Sequence, residues 1–515
     1  MSAFNGQKFM KVLILMHILT KDKHVFKQEE LANEIGLSTK QLARYFKKFE
    51  ELSFCRYTAG KGRSHSCEVH WNDELHTYLN KELLQLANAH LLDAFPIWID
   101  ELVTDGLKVQ VAKFFEQYVF QHLNKSNNDT LYLPMYQSVA SMNPLQATDF
   151  YSVAIMKNIF NTLVVYNDVG ELAGSLAISW NCNETSIVFY LRKNVVFHHG
   201  INLDAWIICD CLLQNEKLVE KVGILEIRVL HEYAIEILHE GVYENRYLLS
   251  LLSQANASIY VRSNETFYGT GPYQITNHTK NSLLLTYFPY HFGQIAMLKQ
   301  VQFLTIPRSI KRKYDFSNHN QDYKIYSIEV SNVNLLLNPG SPYFKKVSNR
   351  QKFVECWGDN RGYELSEDIS LKIGISKHKH ELNTSLKSVY KDVFPKINWV
   401  PISFEEYIKS EEWHAFDAIM ITHAFTENQP IHKLLEVIDA TGVYAKFYPE
   451  FCKHFEGILK FSTQKITLED FYRVLVENDF IVPLDHYGED MLISDHLMIE
   501  GTNLMSSLSG IWKKD

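Results

Sequence analysis

Residues 28–47 read QEELANEIGLSTKQLARYFK, and their spacing of apolar, small and turn-forming residues constrains the fold more than any other part of the chain. Ala32 must be small, because a second helix crossing close above it leaves no room for a larger side chain. Gly36 accepts the left-handed conformation that ends one helix and starts a tight turn. Ser38 can cap a helix that begins near Thr39, since its hydroxyl accepts from an amide of the first turn. The segment therefore predicts a helix-turn-helix.

The second predicted helix has one apolar and one basic side. A helical wheel gathers the apolar residues on the side expected to pack: Leu42, Tyr45, Phe46, Phe49 and Leu52. Lysine and arginine hold phosphates, whereas arginine and glutamine also read base edges, so we expect base contacts from Gln41 and Arg44. The residues of this helix expected at DNA, including those that face mainly phosphates, are Thr39, Lys40, Gln41, Arg44, Lys47 and Lys48. A merely solvated basic face is the alternative for such a helix alone, and the preceding turn favours DNA binding.

The residues after this helix predict a wing. Residues 54–57 and 67–71 are expected to form two short strands, and the loop between them, 58–66, reads TAGKGRSHS. Lys61 and Arg63 at its tip could reach the backbone or the neighbouring minor groove. An ordinary surface hairpin is the alternative.

Charge separates this region from the rest of the chain. Residues 1–70 carry 12 Lys and Arg against 7 Asp and Glu, whereas the remaining residues carry 39 against 53. A basic end on an acidic chain indicates a DNA-binding head joined to a body with another task.

Length and composition indicate several globular domains. The chain has 515 residues, of which 46% are hydrophobic and 22% charged, so we expect more than one domain. We place a winged helix-turn-helix at 1–75, a helical connector at 76–129 and a larger domain at 130–515. The apolar run at 12–19 contains His17 and is too short to span a membrane, so it predicts the first helix of the head. No signal-peptide pattern begins the chain, and a cytoplasmic location is expected.

Cysteine and histidine patterns point to no metal or disulfide framework. The 7 cysteines are scattered without a CxxC pair, and the 22 histidines include no HExxH. No nucleophile elbow, Walker loop or dinucleotide fingerprint is present, so we expect no cofactor, no metal and no enzymatic activity. In the connector, apolar positions such as Leu75, Leu79 and Val111 predict helices. These helices could mediate dimerisation or could simply cap the head.

Past residue 130 several motifs occur in a fixed order. Asn143 and Pro144 form a turn before a predicted helix, and GTGPY occupies residues 269–273. Three further motif groups are Ala177, Ser179 and Trp180; Phe189, Leu191, Arg192, Val195, Phe197, His198 and Gly200; and Phe416 with Asp417. Predicted strands at 186–191, 283–288, 371–375 and 417–422 alternate with helical stretches, which indicates mixed α/β lobes.

This order of motifs resembles family 5 of the bacterial solute-binding proteins, the oligopeptide, dipeptide and nickel receptors of ABC transporters. The resemblance implies a two-lobed, periplasmic-binding-protein-like α/β domain that closes around a ligand. The chain departs from the family pattern at His199, where an acidic residue is usual, and at His423, where tryptophan is frequent. Residues expected at the ligand are Tyr136, Trp357, Asp417 and His423.

Joined to a winged helix, such a domain is similar to the SgrR-type transcriptional regulators. That similarity implies a cytoplasmic regulator in which a small solute modulates binding to double-stranded DNA. The solute could be a sugar phosphate, a peptide or another metabolite. A homodimer is expected, because twofold operators match twofold proteins, and no membrane contact is expected. A solute-binding protein that serves an ABC transporter is the alternative function.

Overall fold

The structure is a computed structural model of the chain. It describes all residues except 1–2, 61–65, 89–91, 93–96, 98–101, 103–104, 116–128, 136–137, 140, 148, 168, 242–243, 306–322, 359–369, 377–396, 403–411, 426–428, 440–441, 495–496, 500–506 and 514–515. The expected site residues Lys61, Arg63 and Tyr136 lie outside the described residues.

The N-terminal head consists of three helices and a three-stranded sheet. Its elements are α1 (Ala3–Thr20), β1 (Val25–Phe26), α2 (Gln28–Ile35), α3 (Thr39–Glu51), β2 (Cys55–Thr58) and β3 (Cys67–Trp71). The sheet has the order β1-β3-β2, with both pairs antiparallel. Strand β1 was not predicted, because two residues are too few to show a period in the sequence. The order of helices and strands is that of a winged helix.

Two further helices, α4 (Asp73–Asn88) and α5 (Asp105–Phe115), pack on the head. Leu79 and Val111 belong to the same buried cluster as Leu13 of α1 and Phe46 of α3. His17 of α1 packs edge-on against Trp71 and Phe114. Burial lowers the pKa of His17 to about 4, so the ring enters this cluster neutral. The structure thus shows these two helices as a layer over α1.

The first lobe of the body contains two four-stranded sheets with helices against them. Its strands are β4 (Thr130–Met135), β5 (Val164–Tyr166), β6 (Leu172–Gly174), β7 (Ala177–Cys182), β8 (Ser186–Leu191), β9 (Ile224–His231), β10 (Ala234–His239), β11 (Val261–Ser263), β12 (Thr266–Tyr268), β13 (Tyr273–His278), β14 (Ser282–Tyr287) and β15 (Gln300–Thr305). Its helices are α6 (Phe150–Ile159), α7 (Ala205–Leu213), α8 (Glu216–Val222) and α9 (Asn245–Leu252). The sheet orders are β7-β8-β10-β9 and β13-β14-β15-β4, in which β15 and β4 are parallel.

The second lobe is built on a mixed five-stranded sheet. Its strands are β16 (Tyr323–Leu337), β17 (Leu371–Ser376), β18 (Ile397–Ile402), β19 (Ala418–Ala424) and β20 (Ile481–Ser494), in the order β18-β17-β19-β16-β20. Its helices are α10 (Val347–Gly358), α11 (Pro430–Val437), α12 (Val443–Phe447), α13 (Pro449–Phe461) and α14 (Leu468–Glu477). One face of this sheet, with Leu335 and Ile373, packs with Phe353 of α10. The other face, with Leu336 and Ile421, joins the core that also fills the first lobe.

The chain passes between the lobes at two places. It leaves the first lobe after β15 and enters the second at β16, and it returns after β20, whose long antiparallel ladder with β16 runs from Tyr323–Ser494 to Leu336–Ile481. Short strands β21 (Leu497–Ile499) and β22 (Ile511–Lys513) follow, and the amide of Leu508 donates to Asn158 Oδ1 of α6 at 2.8 Å. The four strands expected from the sequence all occur, with ends displaced by no more than two residues.

No described helix combines the length and the apolar character needed to cross a bilayer.

Candidate functional sites

Helix α3 is positioned by the turn that the sequence predicted. Gly36 ends α2 with φ of 75°, and the amide of Leu37 donates to the carbonyl of Ala32 at 2.8 Å. Ala32 is fully buried where the two helices meet. Ser38 is the N-cap, and its hydroxyl accepts from the amide of Gln41 at 3.2 Å. These local contacts explain why α3 begins at Thr39.

The predicted division of α3 into two sides is confirmed for most positions. Leu42, Phe46 and Phe49 are completely buried, and Tyr45 is half-buried. All six side chains expected at DNA are exposed: Thr39, Lys40, Gln41, Arg44, Lys47 and Lys48. Leu52 was expected on the packed side, but the structure corrects this, because α3 ends at Glu51 and Leu52 follows at the C-cap with 39% of its surface exposed.

Gln41 has a second role that the sequence analysis did not assign. Its side-chain oxygen accepts from the amide of Ser38 at 2.9 Å, which completes a reciprocal capping box with the Ser38 hydroxyl. Gln41 can present its amide NH2 group to a base while the cap stays formed, because the oxygen alone is used. Lys48 lies 3.4 Å from Glu51, so its charge is partly balanced within the helix.

The base of the wing is formed, and its tip is not described. Strands β2 and β3 pair from Cys55–Trp71 to Thr58–Glu68. The Tyr57 ring stacks on Phe46 of α3 with ring centroids 4.4 Å apart. This contact fixes the root of the wing against the helix that carries the basic side chains.

In the second lobe, Asp417 precedes β19 and is held by its own lobe. Its carboxylate accepts from the amide of Lys372 at 2.8 Å and from the hydroxyl of Ser341. Its amide donates to the carbonyl of Lys372 at 2.9 Å. Both carboxylate oxygens therefore have partners within the lobe: one joins Asp417 to β17, and the other joins it to the segment after β16. These contacts stabilise the fold.

His423 lies near the far end of the same strand. Its ring packs against Phe425 at 4.9 Å, and its Nε2 is 3.9 Å from Glu436 Oε2, too far for a hydrogen bond. Burial lowers the pKa of His423 to about 4. A neutral, partly buried imidazole of this kind can both donate to and accept from a ligand.

The structure does not bring the expected ligand residues together. Asp417 and His423 are six positions apart along one strand, which places them about 20 Å from each other. Trp357 lies on α10, and its side chain is outside the described residues. The strand register reveals polar neighbours of His423 that the sequence analysis missed: Asn332 is its cross-strand partner on β16, and Asn332 in turn hydrogen-bonds to Tyr472 of α14. No local sequence signal joins residues so far apart.

The motif residues of the first lobe make contacts within the fold. Arg192 donates from Nε to the carbonyl of Ser175 at 2.5 Å. The GTGPY loop lies against the end of α6, where the amide of Gly271 donates to the carbonyl of Ile159 at 2.9 Å. A Cβ at Gly269 would lie 2.0 Å from that same carbonyl oxygen. Close backbone approach thus explains the glycines of this motif.

A winged helix-turn-helix followed by a two-lobed α/β domain is the architecture of a DNA-binding protein fused to a solute-binding fold. The comparisons with known proteins agree with both parts. The chain is similar in sequence to the HTH-type transcriptional regulator SgrR of Salmonella typhimurium, with 28% identity over 203 residues, covering 37% of this chain and 36% of that protein. It is also similar to the SgrR of Photorhabdus laumondii, with 23% identity, covering 54% of this chain and 50% of that one. The matches thus span half or less of these relatives' length, and no family model matches the chain.

Solved structures show the fold of the body. The periplasmic binding protein DppA of Helicobacter pylori, in complex with the peptide STSA, aligns with a TM-score of 0.60 at 15% identity, covering 76% of this chain and 100% of that one. NikA of Brucella suis, in complex with Fe(III)-EDTA, aligns with a TM-score of 0.59 at 16% identity, covering 75% and 100%. The body therefore has the family 5 solute-binding fold. A peptide and a metal chelate occupy these two neighbours, so the fold alone does not define a ligand class.

Proposed function

We propose that this chain is a DNA-binding transcriptional regulator whose two-lobed domain binds a small solute and thereby alters the affinity of the head for its operator. The observation that carries the proposal is α3, the second helix of a capped helix-turn-helix. It has six exposed polar and basic side chains on one side, and Leu42, Phe46 and Phe49 are buried on the other. Similarity to the SgrR regulators supports this function over that of a transport receptor, for which a winged helix has no use.

The proposed operator contacts follow from the exposed face of α3. Arg44 and Gln41 reach base edges in the major groove, whereas Lys40, Lys47 and Lys48 hold phosphates and Thr39 contacts the backbone near the helix N-terminus. Lys61 and Arg63 of the wing complete the surface. Two heads in a homodimer would read a twofold operator, and DNA as the partner implies a cytoplasmic location.

The packing between head and body suggests how a ligand signal reaches DNA. Alternate residues of β4 and β15 point to different cores: Leu133 and Phe303 belong to the core of the lobes, whereas Tyr132 and Leu304 belong to the buried cluster of the head. The sheet β13-β14-β15-β4 is therefore shared by both parts. Strand β15 is also the last described element before the chain enters the second lobe at β16, so movement between the lobes acts on a strand that contacts the head. We infer that the connector 76–129 transmits this movement, since its described helices α4 and α5 pack on the head.

The proposed solute is a sugar phosphate, a short peptide or another small metabolite, held between the lobes. Asp417, His423, Tyr136 and Trp357 stay candidates for the site, with the polar neighbours Asn332 and Tyr472 added. Any change in operator affinity is limited by the ligand's preference for one lobe arrangement, typically about 1–3 kcal/mol.

The test is a titration of the full chain against the DNA upstream of its own coding sequence, at fixed salt, with and without a panel of sugar phosphates and short peptides. We expect binding to be specific relative to scrambled DNA of equal length, and one compound class to change the affinity several-fold. Specific binding that no compound changes would remove the sensor part of the proposal. Equal binding to scrambled DNA would remove the regulator and favour a transport-associated solute-binding role.

A further inference from the structure

Strand β9 forms one edge of the antiparallel sheet β7-β8-β10-β9, and within the described parts of the chain no strand pairs with its outer side. It is eight residues long, ILEIRVLH. An edge strand of this kind offers a row of backbone N–H and C=O groups to another strand. Two large apolar side chains of this strand are exposed to solvent: Leu225 is 64% exposed and Leu230 is 50% exposed.

The charges of β9 match a second copy of the same strand. Glu226 and Arg228 are both about half exposed, and Arg228 Nη2 lies 2.7 Å from Glu226 Oε2 within one chain. Charged residues usually protect an edge from pairing. Here, however, two copies of β9 that pair antiparallel about a twofold axis at Ile227 place Glu226 of each copy opposite Arg228 of the other. Opposite charges in directly facing positions stabilise an antiparallel pair.

The same register also matches the apolar residues. It places Leu225 opposite Val229, so an apolar pair flanks each charge pair. Leu225 and Leu230 lie where the pairing of β9 with β10 is irregular, so the regular part of the edge is residues 226–229. Moving the axis by one residue would place Arg228 opposite Arg228 or Glu226 opposite Glu226, and like charges in facing positions destabilise the pair. The axis at Ile227 is therefore favoured by both charge and apolar pairing.

Helix α7 extends this surface beyond the strand. Trp206, Cys209 and Leu213 lie three and four positions apart, on one side of the helix. Trp206 is 57% exposed and Leu213 is 47% exposed. Cys209 of this stripe reaches β9, with Sγ 3.6 Å from the carbonyl oxygen of Ile227. A single strand buries too little surface for a stable dimer, which needs roughly 800 Å² per partner, and exposed tryptophan is typical of interface centres.

We propose that β9 and the exposed stripe of α7 form the surface through which two copies of this chain associate, by antiparallel β9–β9 pairing centred on Ile227. The inference deepens the proposed function, since it names the interface of the homodimer expected for a twofold operator. A strand of a different protein is the other occupant that such an edge could take, and the self-complementary charges of β9 favour a second copy.

Charge reversal tests the pairing. Glu226→Arg would place arginine opposite Arg228 of the other copy, and Arg228→Glu would place glutamate opposite Glu226. For each variant alone we expect the dimer Kd, measured by sedimentation velocity of the full chain, to rise at least about tenfold. An equimolar mixture of the two variants should recover the dimer, because the two arginines of one copy then face the two glutamates of the other.

Glu450→Arg is the matched control, since it reverses a charge on α13 at a side chain that is 86% exposed; it should leave the dimer Kd unchanged. Thermal unfolding of each variant alone checks that the sheet is intact. Recovery in the mixture is a result that local misfolding could not produce. A starting chain that is monomeric at all concentrations, single variants that stay dimeric, or a mixture that stays monomeric would each overturn the proposal.

Operator binding by the same variants separates this inference from the proposed function. If the starting chain is a β9 dimer but binds no DNA specifically, the interface stands and the regulator fails. If Glu226→Arg is dimeric and still binds the operator specifically, the regulator stands and the interface fails.

Discussion

At the scale of single residues, the exposed side chains of α3 differ in how they are held within the protein. Gln41 is engaged by Ser38 and Lys48 by Glu51. In the described part of the chain, Arg44 and Lys47 have neither a hydrogen bond nor an ion pair. Substituting either residue therefore removes no known contact within the protein, so a change in DNA binding reports on DNA contacts.

Arg44→Ala is expected to weaken operator binding by about 1–3 kcal/mol and to relax the preference for one base, because a bidentate contact is lost. Lys47→Ala should weaken binding to all DNA similarly, because a phosphate contact is lost. The slope of log affinity against log salt concentration should fall by about one.

Titrations against operator and scrambled DNA at several salt concentrations measure both effects. Lys453→Ala, a 74% exposed lysine on α13, is the control for loss of one positive charge. Equal losses on both DNAs for Arg44→Ala would contradict its base-reading role.

The hydrogen bonds of Asp417 are expected to stabilise the second lobe. Asp417→Ala removes the acceptor of the Lys372 amide and of the Ser341 hydroxyl, so we expect the free energy of unfolding to fall by about 1–3 kcal/mol. Asp417→Asn keeps one acceptor oxygen and should lose less. Denaturant titrations of both variants measure this order. Unchanged stability together with lost solute binding would instead assign Asp417 to the ligand.

At the scale of elements, the turn before α3 is held by local contacts. The capping box joins Ser38 and Gln41 through two hydrogen bonds, and Gly36 closes α2 in the left-handed conformation. These contacts involve residues within five positions of one another, which explains why the helix-turn-helix could be predicted from the sequence. The register of β16 against β19, by contrast, pairs Asn332 with His423 across ninety-one positions, and no local pattern encodes it.

Ser38→Ala is expected to lower the free energy of unfolding by about 0.5–2 kcal/mol, because the first turn of α3 loses the acceptor for an amide. Thr39→Ala is the matched control one position later, where the side chain is exposed and caps nothing in the described structure. Thermal unfolding followed by circular dichroism compares the two. A loss for Thr39→Ala as large as that for Ser38→Ala would show that the cap is not the cause.

At the scale of the whole molecule, the head and the first lobe share one sheet. Tyr132 and Leu304 enter the head cluster from the sheet face opposite Leu133 and Phe303. Strands β4 and β15 that carry them are parallel neighbours. A rearrangement that tilts this pair would move both cores together, which is what coupling between solute and operator requires.

Leu304→Ala should reduce the effect of the solute on operator affinity, because it leaves a cavity between the sheet and the head. The control is Val301→Ala, which truncates the same strand on its other face, inside the core of the lobes. Operator titrations with and without the active solute measure the coupling in each variant. Coupling lost equally in both variants would point to general destabilisation, and coupling retained in Leu304→Ala would exclude this route.

The sequence by itself determined the helix-turn-helix, the basic side of α3, the two strands of the wing and the solute-binding fold of the body. These features depend on neighbouring residues: caps, turns, periodicity and motif order. Only the tertiary structure decided that α4 and α5 pack on α1, that Gln41 completes a cap, and that Asp417 lies before β19 while His423 lies near its far end. It also decided which strand forms an exposed edge. Those outcomes depend on strand register and on contacts between distant segments, which are settled by packing the whole chain.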